Sequence, residues 1–399
     1  MNILMLSMDE TILTGTLGDS RARHEEYARR FGTIQMVVCN VVKGGKPLAP
    51  LHTERLIIQP TNSRSRLWYV PDAVRAARTL AAELRPNVIT SQDALLTGLA
   101  GLWIRRVLHA PLIVQDHTAF ADNPYWARES RQNRLLQKIA QFVIPRADVV
   151  RVVNRGEREA CIRIGAQPER VAVVPVPIPL AQFTHPDQRI DWRARFGLTA
   201  EQPVALWVGR PVPFKNLGLL LAAWQQVAAK LPAARLILAG SMDGTPYPAQ
   251  VQALGLADSV ILAGRVAYDD LPSLYQTANI YVHSSTYEGG PRVQVEAAAA
   301  GIPSVSTDCD GPRDIIKHGE TGLLTPMCAP ELAAAILSLL SDPARARQMG
   351  QAACTDILER YDQDRLIDQW VGLWRSTSTL NGKATGERLH PEDESAAKR

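Results

Sequence analysis

"IYVHSSTYEGGPRVQVEAAAAGIPSV" (residues 280–305) reads as strand, loop, helix and strand. IYVHSS has the length of a buried strand, Gly-Gly-Pro breaks the chain, and the valine- and alanine-rich run after Pro291 suits a helix. Proline fits a first helical turn because the N–H it lacks has no partner there. The loop holds Glu288 and the helix Glu296, eight residues apart.

The same alternation extends in both directions. Before the stretch come PVALWVG, a helix at 216–230, RLILAG and SVILAG; after it comes PSVSTD. In the first half NILMLSM, IQMVVCN, NVITSQ, PLIVQDH, DVVRVVN and RVAVVPV alternate with helices at 20–31, 71–84, 94–109, 128–143 and 155–165. Short apolar runs separated by helices argue for parallel sheets covered on both faces. PVPIPLAQFTHPDQ interrupts the pattern, so the linker is expected near 177–195, where prolines prevent regular structure. The fold class is therefore α/β, two doubly wound lobes facing a cleft. The expected domains are 1–180 and 196–360. A final helix at 361–376 is expected to pack back on the first lobe, and the polar 377–399 reads as a disordered tail.

The composition is that of a soluble globular chain: 399 residues, 46% hydrophobic and 21% charged, with a net charge of +4. So small a charge gives no support to a nucleic-acid partner. Arginine far outnumbers lysine among the 44 basic residues, which suits recognition of phosphate or carboxylate. Cys39, Cys161, Cys309, Cys328 and Cys354 form no C-x-x-C pair and read as reduced thiols. The start, MNILMLSMDE, lacks a basic region before its apolar run, and no later stretch approaches a membrane span. The expected location is the cytoplasm, including a peripheral position at the inner face of a membrane.

Glu288 in a loop and Glu296 about a turn and a half into the following helix can serve one ligand. The helix-mouth amides of Arg292 and Val293 suit a diphosphate. A carboxylate only accepts hydrogen bonds, so Glu296 matches the vicinal hydroxyls of a ribose, and Glu288 an attached sugar. The same spacing also fits two solvated glutamates. VGRPVPFKN adds Arg210 and Lys215 at a strand's carboxyl end; it is no Walker loop, since Phe214 and Asn216 replace the required glycine and hydroxyl residue. Two cations there suit a diphosphate, or are solvated loop charges.

Taken together, GRPVPFKNLGLLLAAW, LILAGSMDG and VILAGRVAYDDLPSLYQTANIYVHSSTYEGGPRVQVEAAAAGIPSVSTDCDGPRDIIKHGETGLL resemble the second lobe of retaining nucleotide-sugar glycosyltransferases of the GT-B fold, family 4-like, with their Glu-x7-Glu signature. The resemblance runs from about 208 to 326; GTLGDSRARH, VQDH and PRADVVRVVN carry it weakly in the first half. It implies two Rossmann-like lobes, a nucleotide diphosphate sugar (UDP- or GDP-hexose type) as co-substrate with no further cofactor, and a carbohydrate or lipid-linked acceptor. By the same resemblance Glu288 contacts the sugar, Glu296 the ribose, and Arg210 and Lys215 the diphosphate. Gly289 and Gly290 admit sugar and phosphate close to the backbone, Val266 lies beside the base, Gly18 approaches the phosphate, and His117 sits over the reacting sugar. Gly290-Pro291 stands where the family often has Phe-Gly, a departure at the sugar pocket.

Other signals count for less. TGTLGDS has no G-x-G-x-x-G, and HEEYA lacks the second histidine of a zinc site. The DCD of Asp308–Asp310 resembles a metal-binding D-x-D but reads better as a solvated turn, so no metal is expected. RESRQNRLLQKIAQFVIPR combines basic and apolar residues at helical spacing; burial of its apolar face is favoured over contact with an anionic membrane. A nucleotide-sugar epimerase on the same fold and a non-enzymatic bilobal sugar-binding protein are the rival readings.

Overall fold

The computed structural model describes residues 1–14, 20–42, 46–118, 120–185 and 190–380. Gly18 and most of the expected tail lie outside the described residues.

Both parallel sheets expected from the alternation are present. The larger consists of β1 (Asn2–Ser7), β2 (Thr33–Val38), β3 (Leu51–His52), β4 (Leu56–Pro60), β5 (Val88–Ser91), β6 (Leu112–Gln115), β7 (Val149–Val152) and β8 (Val171–Val173). Their order is β3-β4-β2-β1-β5-β6-β7-β8, with β3 antiparallel to β4. The β3–β4 pair at 51–60 is absent from the sequence reading, which assigns one strand to each helix. The smaller sheet consists of β9 (Val204–Val208), β10 (Arg235–Ala239), β11 (Val260–Gly264), β12 (Ile280–His283), β13 (Ser304–Thr307) and β14 (Gly322–Thr325), in the order β11-β10-β9-β12-β13-β14. Every neighbouring pair in it is parallel.

The smaller sheet explains its own composition. All five residues of β9 are buried. Ala205 and Trp207 enter a core with Leu217, Leu221 and Trp224 of the Leu217–Lys230 helix. Val204, Leu206 and Val208 enter the core on the opposite face, with Tyr275, Val295 and Ala298. Side chains alternate between faces, so a strand covered on both sides must be apolar throughout. That is why the run looks continuous rather than alternating.

The described residues form two compact units: those within 1–115, 146–150 and 370–380, and those within 116–145 and 151–369. This partition differs from a boundary at the proline-rich stretch. The passage at 177–195 is also no bare linker. Ala181–Thr184 and Trp192–Arg195 are short helices, and Phe183 and Trp192 are buried in the second unit's core. Pro177 and Pro179 lie before the first of these helices, neither helix contains a proline, and burial of the two aromatic side chains favours the ordered passage. The last helix is Gln363–Ser378, and in its part that belongs to the first unit Trp374 stands edge-on to Tyr27 and Phe31, with ring centroids 5.7 and 5.4 Å apart.

The helix expected at 128–143 is two helices, Pro124–Glu129 and Arg131–Val143, broken at Ser130, whose hydroxyl accepts from the Asn133 amide at 3.0 Å. Its apolar side is only partly buried. Ala140 and Val143 face inward, whereas Leu135 is 62% and Phe142 47% exposed. Among the described residues no helix is long and apolar enough to cross a membrane, and all five cysteines are free.

Candidate functional site

In the smaller sheet the strand order reverses between β9 and β12, and ligands of open parallel sheets bind beyond the carboxyl ends of strands at such a point. The loop after β9 carries Lys215 and the loop after β12 carries Glu288. The lysine arrives through a short 3-10 turn, Pro213–Lys215, ended by Asn216 at φ 49°, a left-handed conformation that asparagine tolerates.

Lys215 Nζ donates to Glu288 Oε1, and both side chains are largely buried. Ser285 Oγ donates to the same oxygen at 3.0 Å, and His283 Nε2 lies 3.5 Å from it. Burial by itself raises the Glu288 pKa, but His283 and Lys215 outweigh it and hold the carboxyl at about 2, so it is ionised. Burial moves His283 the other way, below its ordinary value, and keeps the imidazole neutral. The two loops are stitched together: Thr286 N donates to Phe214 O at 2.7 Å, and Ser284 Oγ to Lys215 O at 2.8 Å.

Glu296, 2% exposed, has a separate set of neighbours. Tyr275 donates its hydroxyl to Glu296 Oε2 at 3.2 Å, and Arg292 Nε lies 4.0 Å from Oε1. Arg292 also reaches the Tyr268 hydroxyl at 3.3 Å. Val266 and Val293 are partly buried at the edge of the core that includes Tyr275. The helix is Arg292–Ala299, so Pro291 stands one position before it rather than in its first turn. The Gln294 amide donates to Pro291 O at 2.9 Å, and the amides of Arg292 and Val293 sit at the helix's open end.

Gly289 has an observed reason to be glycine: a Cβ there would lie 2.0 Å from the His117 carbonyl oxygen and 2.5 Å from Glu157 Oε1. The close approach recorded at this position is thus to the His117 backbone, which brings residue 117 beside the Glu288 loop. Asn154 Nδ2 donates to Gly289 O at 2.8 Å. At Gly290 the nearest neighbour of such a Cβ would be Val153 at 3.4 Å, an ordinary contact. Arg210 is exposed just beyond β9 and is not drawn into the Lys215–Glu288 pair.

A pocket of about 270 Å³ opens on Glu288, lined also by Asp122, Tyr125, Arg163, Asp310 and Arg313. Asp308 and Asp310 both pair with Arg313, at 2.6 and 3.2 Å, and among the described residues no cluster of three or more His, Cys, Asp or Glu could hold a metal. His283, Ser285, Tyr275 and Asn154 are absent from the sequence reading. The polar His283 and Ser285 in a run otherwise fit for a buried strand were the available signal; nothing local marks Tyr275 or Asn154.

Residues 188–355 match the family described as Glycosyl transferases group 1, and residues 25–182 match Glycosyltransferase Family 4. A D-inositol 3-phosphate glycosyltransferase of Segniliparus rotundus is 30% identical over 290 residues, 70% of this chain and 64% of that protein, so less than two thirds of that relative is spanned. An alpha-D-kanosaminyltransferase of Streptomyces kanamyceticus is 26% identical over 324 residues, 78% of this chain and 81% of its own length. Sucrose-phosphate synthase from Thermosynechococcus elongatus superposes with a TM-score of 0.80 at 22% identity, covering 94% of this chain and 99% of its own. HepE from Anabaena, solved in complex with UDP-glucose, does so with 0.75 at 21%, covering 94% and 100%. At these identities the structural likeness concerns the fold.

Proposed function

Because the chain belongs to the family 4-like glycosyltransferases of the GT-B fold, we propose that it moves a hexose from a nucleotide diphosphate donor to an acceptor hydroxyl with retention at the anomeric carbon. The observation that carries this reading is the buried Lys215–Glu288 pair at the reversal of strand order. As the bond from the anomeric carbon to the leaving phosphate breaks, the ring gains positive and the diphosphate negative charge. Lys215, Arg210 and the amides of Arg292 and Val293 stabilise the diphosphate; the ionised Glu288 faces the sugar. Glu296 takes the ribose hydroxyls, with Tyr275 holding one of its oxygens in place.

The cations make a metal unnecessary in this scheme, and Arg313 already engages Asp308 and Asp310. Transfer is then expected to survive excess EDTA and the Asp308→Ala and Asp310→Ala changes; activity lost to EDTA and restored by magnesium or manganese overturns that part. HepE's UDP-glucose makes UDP-hexoses the first donors to test. The acceptor is a carbohydrate, a glycolipid or a small polyol. Leu135 and Phe142, exposed on the basic Arg131–Val143 helix, are the contact through which a lipid-borne acceptor is reached.

The test is incubation with UDP-, GDP- and ADP-hexoses with and without an acceptor panel, following nucleotide diphosphate release and the product's anomeric configuration by NMR. Acceptor-dependent release with a retained anomer is expected. An inverted product, or a donor isomerised without acceptor, overturns the proposal, the latter in favour of an epimerase.

A further inference from the structure

The residue before Glu288 ties the site's loops to a neighbouring helix. Tyr287 is 7% exposed and donates its hydroxyl to Glu129 Oε1 at 2.8 Å. Its ring stacks on Phe214, with centroids 5.0 Å apart and planes 26° from parallel. Phe214 precedes Lys215, and its carbonyl is the one that accepts from Thr286 N. Tyr287 is therefore the side chain that packs against the lysine's loop while its own backbone continues into the glutamate.

Glu129 is itself held. Its other oxygen accepts from Asn133 Nδ2 at 3.3 Å, and that nitrogen also reaches Trp126 O at 3.0 Å. The carboxylate thus sits fixed at the break between Pro124–Glu129 and Arg131–Val143. Burial and the adjacent Glu129 carboxylate push the Tyr287 pKa above its ordinary value, so the phenol remains a hydrogen-bond donor through the neutral range.

We propose that Tyr287 is a positioning residue: anchored through its hydroxyl to Glu129 and through its ring to Phe214, it sets the distance between Lys215 and Glu288. Two anchors at right angles in role are needed because a stack alone permits sliding, whereas a directional hydrogen bond fixes one end of the ring. Small misplacements of reacting groups are expensive in rate. Glu129 is exposed, so the loss of its partner leaves no buried charge behind.

This inference rests on the glycosyl-transfer reading, and the experiment separates the two. Tyr287→Phe keeps the ring and removes the hydroxyl. It is expected to lower kcat roughly three- to tenfold, the worth of one hydrogen bond, with donor KM and nucleotide diphosphate affinity within about twofold of the parent. Glu129→Ala should do the same, Glu129→Gln should keep the parental rate because its amide oxygen still accepts, and Tyr287→Phe with Glu129→Ala should be no worse than either alone. A purely structural role has no reason to spare KM or to be rescued by the amide. If Glu288→Ala is inactive while Tyr287→Phe turns over at the parental rate, the assignment of Tyr287 falls and the transfer reading stands; if Glu288→Ala matches the parent, the transfer reading falls. Titration of carboxyl-labelled Glu288 by NMR reads the same geometry without turnover. Tyr287→Phe should raise its pKa from about 2, and a titration left unmoved overturns the assignment.

Discussion

Each sheet has one place where strand order reverses, and the two places carry different chemistry. In the larger sheet it lies between β1 and β5, where Ser7 Oγ donates to Gln92 Oε1 at 2.7 Å and Gln92 Nε2 meets His24 Nε2 at 2.9 Å. In the smaller sheet it lies between β9 and β12, where Lys215 meets Glu288. The first is a chain of hydrogen bonds through a hydroxyl, an amide and an imidazole, and the second a buried ion pair. A common topology supplies the position; the side chains decide what happens there. Hydroxyl and amide groups offer hydrogen bonds alone, whereas a buried ammonium and carboxylate can also stabilise charge.

The contrast is sharpest at Lys215. Lys215→Ala should nearly abolish transfer, by a hundredfold or more, because it removes a cation from the diphosphate and leaves the buried Glu288 without its counter-charge. Breaking a buried pair on one side costs about 3–5 kcal/mol, so thermal unfolding should show the change as well. A variant with parental melting and turnover would erase the distinction between the two sites.

Glu288→Gln should come next, lowering turnover strongly while nucleotide diphosphate affinity stays close to the parent's. It also has a signature in acid. The Glu288 carboxyl sits at about 2 against an ordinary 4.5, so its stabilising contribution is complete above 4.5 and is lost as pH falls from there toward 2. The difference in stability between parent and Glu288→Gln should therefore narrow across that window, measured by denaturant titration at a series of pH values. A constant difference means the carboxylate is not held as described.

Glu296→Gln should weaken nucleotide diphosphate binding roughly tenfold to a hundredfold, since an amide turns a donor toward hydroxyls that need acceptors. Calorimetry decides it, and unchanged affinity removes Glu296 from the ribose. The smallest effect is expected in the larger sheet: Gln92→Leu removes the acceptor of the Ser7 hydroxyl and should cost about 1 kcal/mol of stability in a denaturant titration while leaving nucleotide diphosphate affinity unchanged. If Gln92→Leu instead lowers nucleotide diphosphate affinity, the two reversals are not independent.

Local signals stop where a contact joins residues far apart along the chain. Both parallel sheets were legible because strands buried on two faces must be apolar throughout, as Val204–Val208 is. Lys215 and Glu288 stood out as charged residues just past such runs. Their partnership did not, because 73 residues separate them and only the strand order makes them neighbours. Spacing also says nothing of which protein groups hold Glu288 and Glu296: His283 and Ser285 stand at the one, Tyr275 and Arg292 at the other.

The proline-rich passage misled for a related reason. Proline content reports local stiffness, whereas the burial of Phe183 and Trp192 depends on a core assembled from distant strands. Gly289 makes the same point from the other side: the sequence shows a glycine and suggests close approach, but only the folded chain shows that the approach is to the His117 carbonyl. What the sequence determined by itself was the alternation of elements, the apolar strands and the family to which 208–326 points, all of which are properties of neighbours along the chain. What the tertiary structure decided was which charges meet, which glycine is crowded and which aromatic rings are buried, because each of those contacts joins residues that the sequence holds far apart.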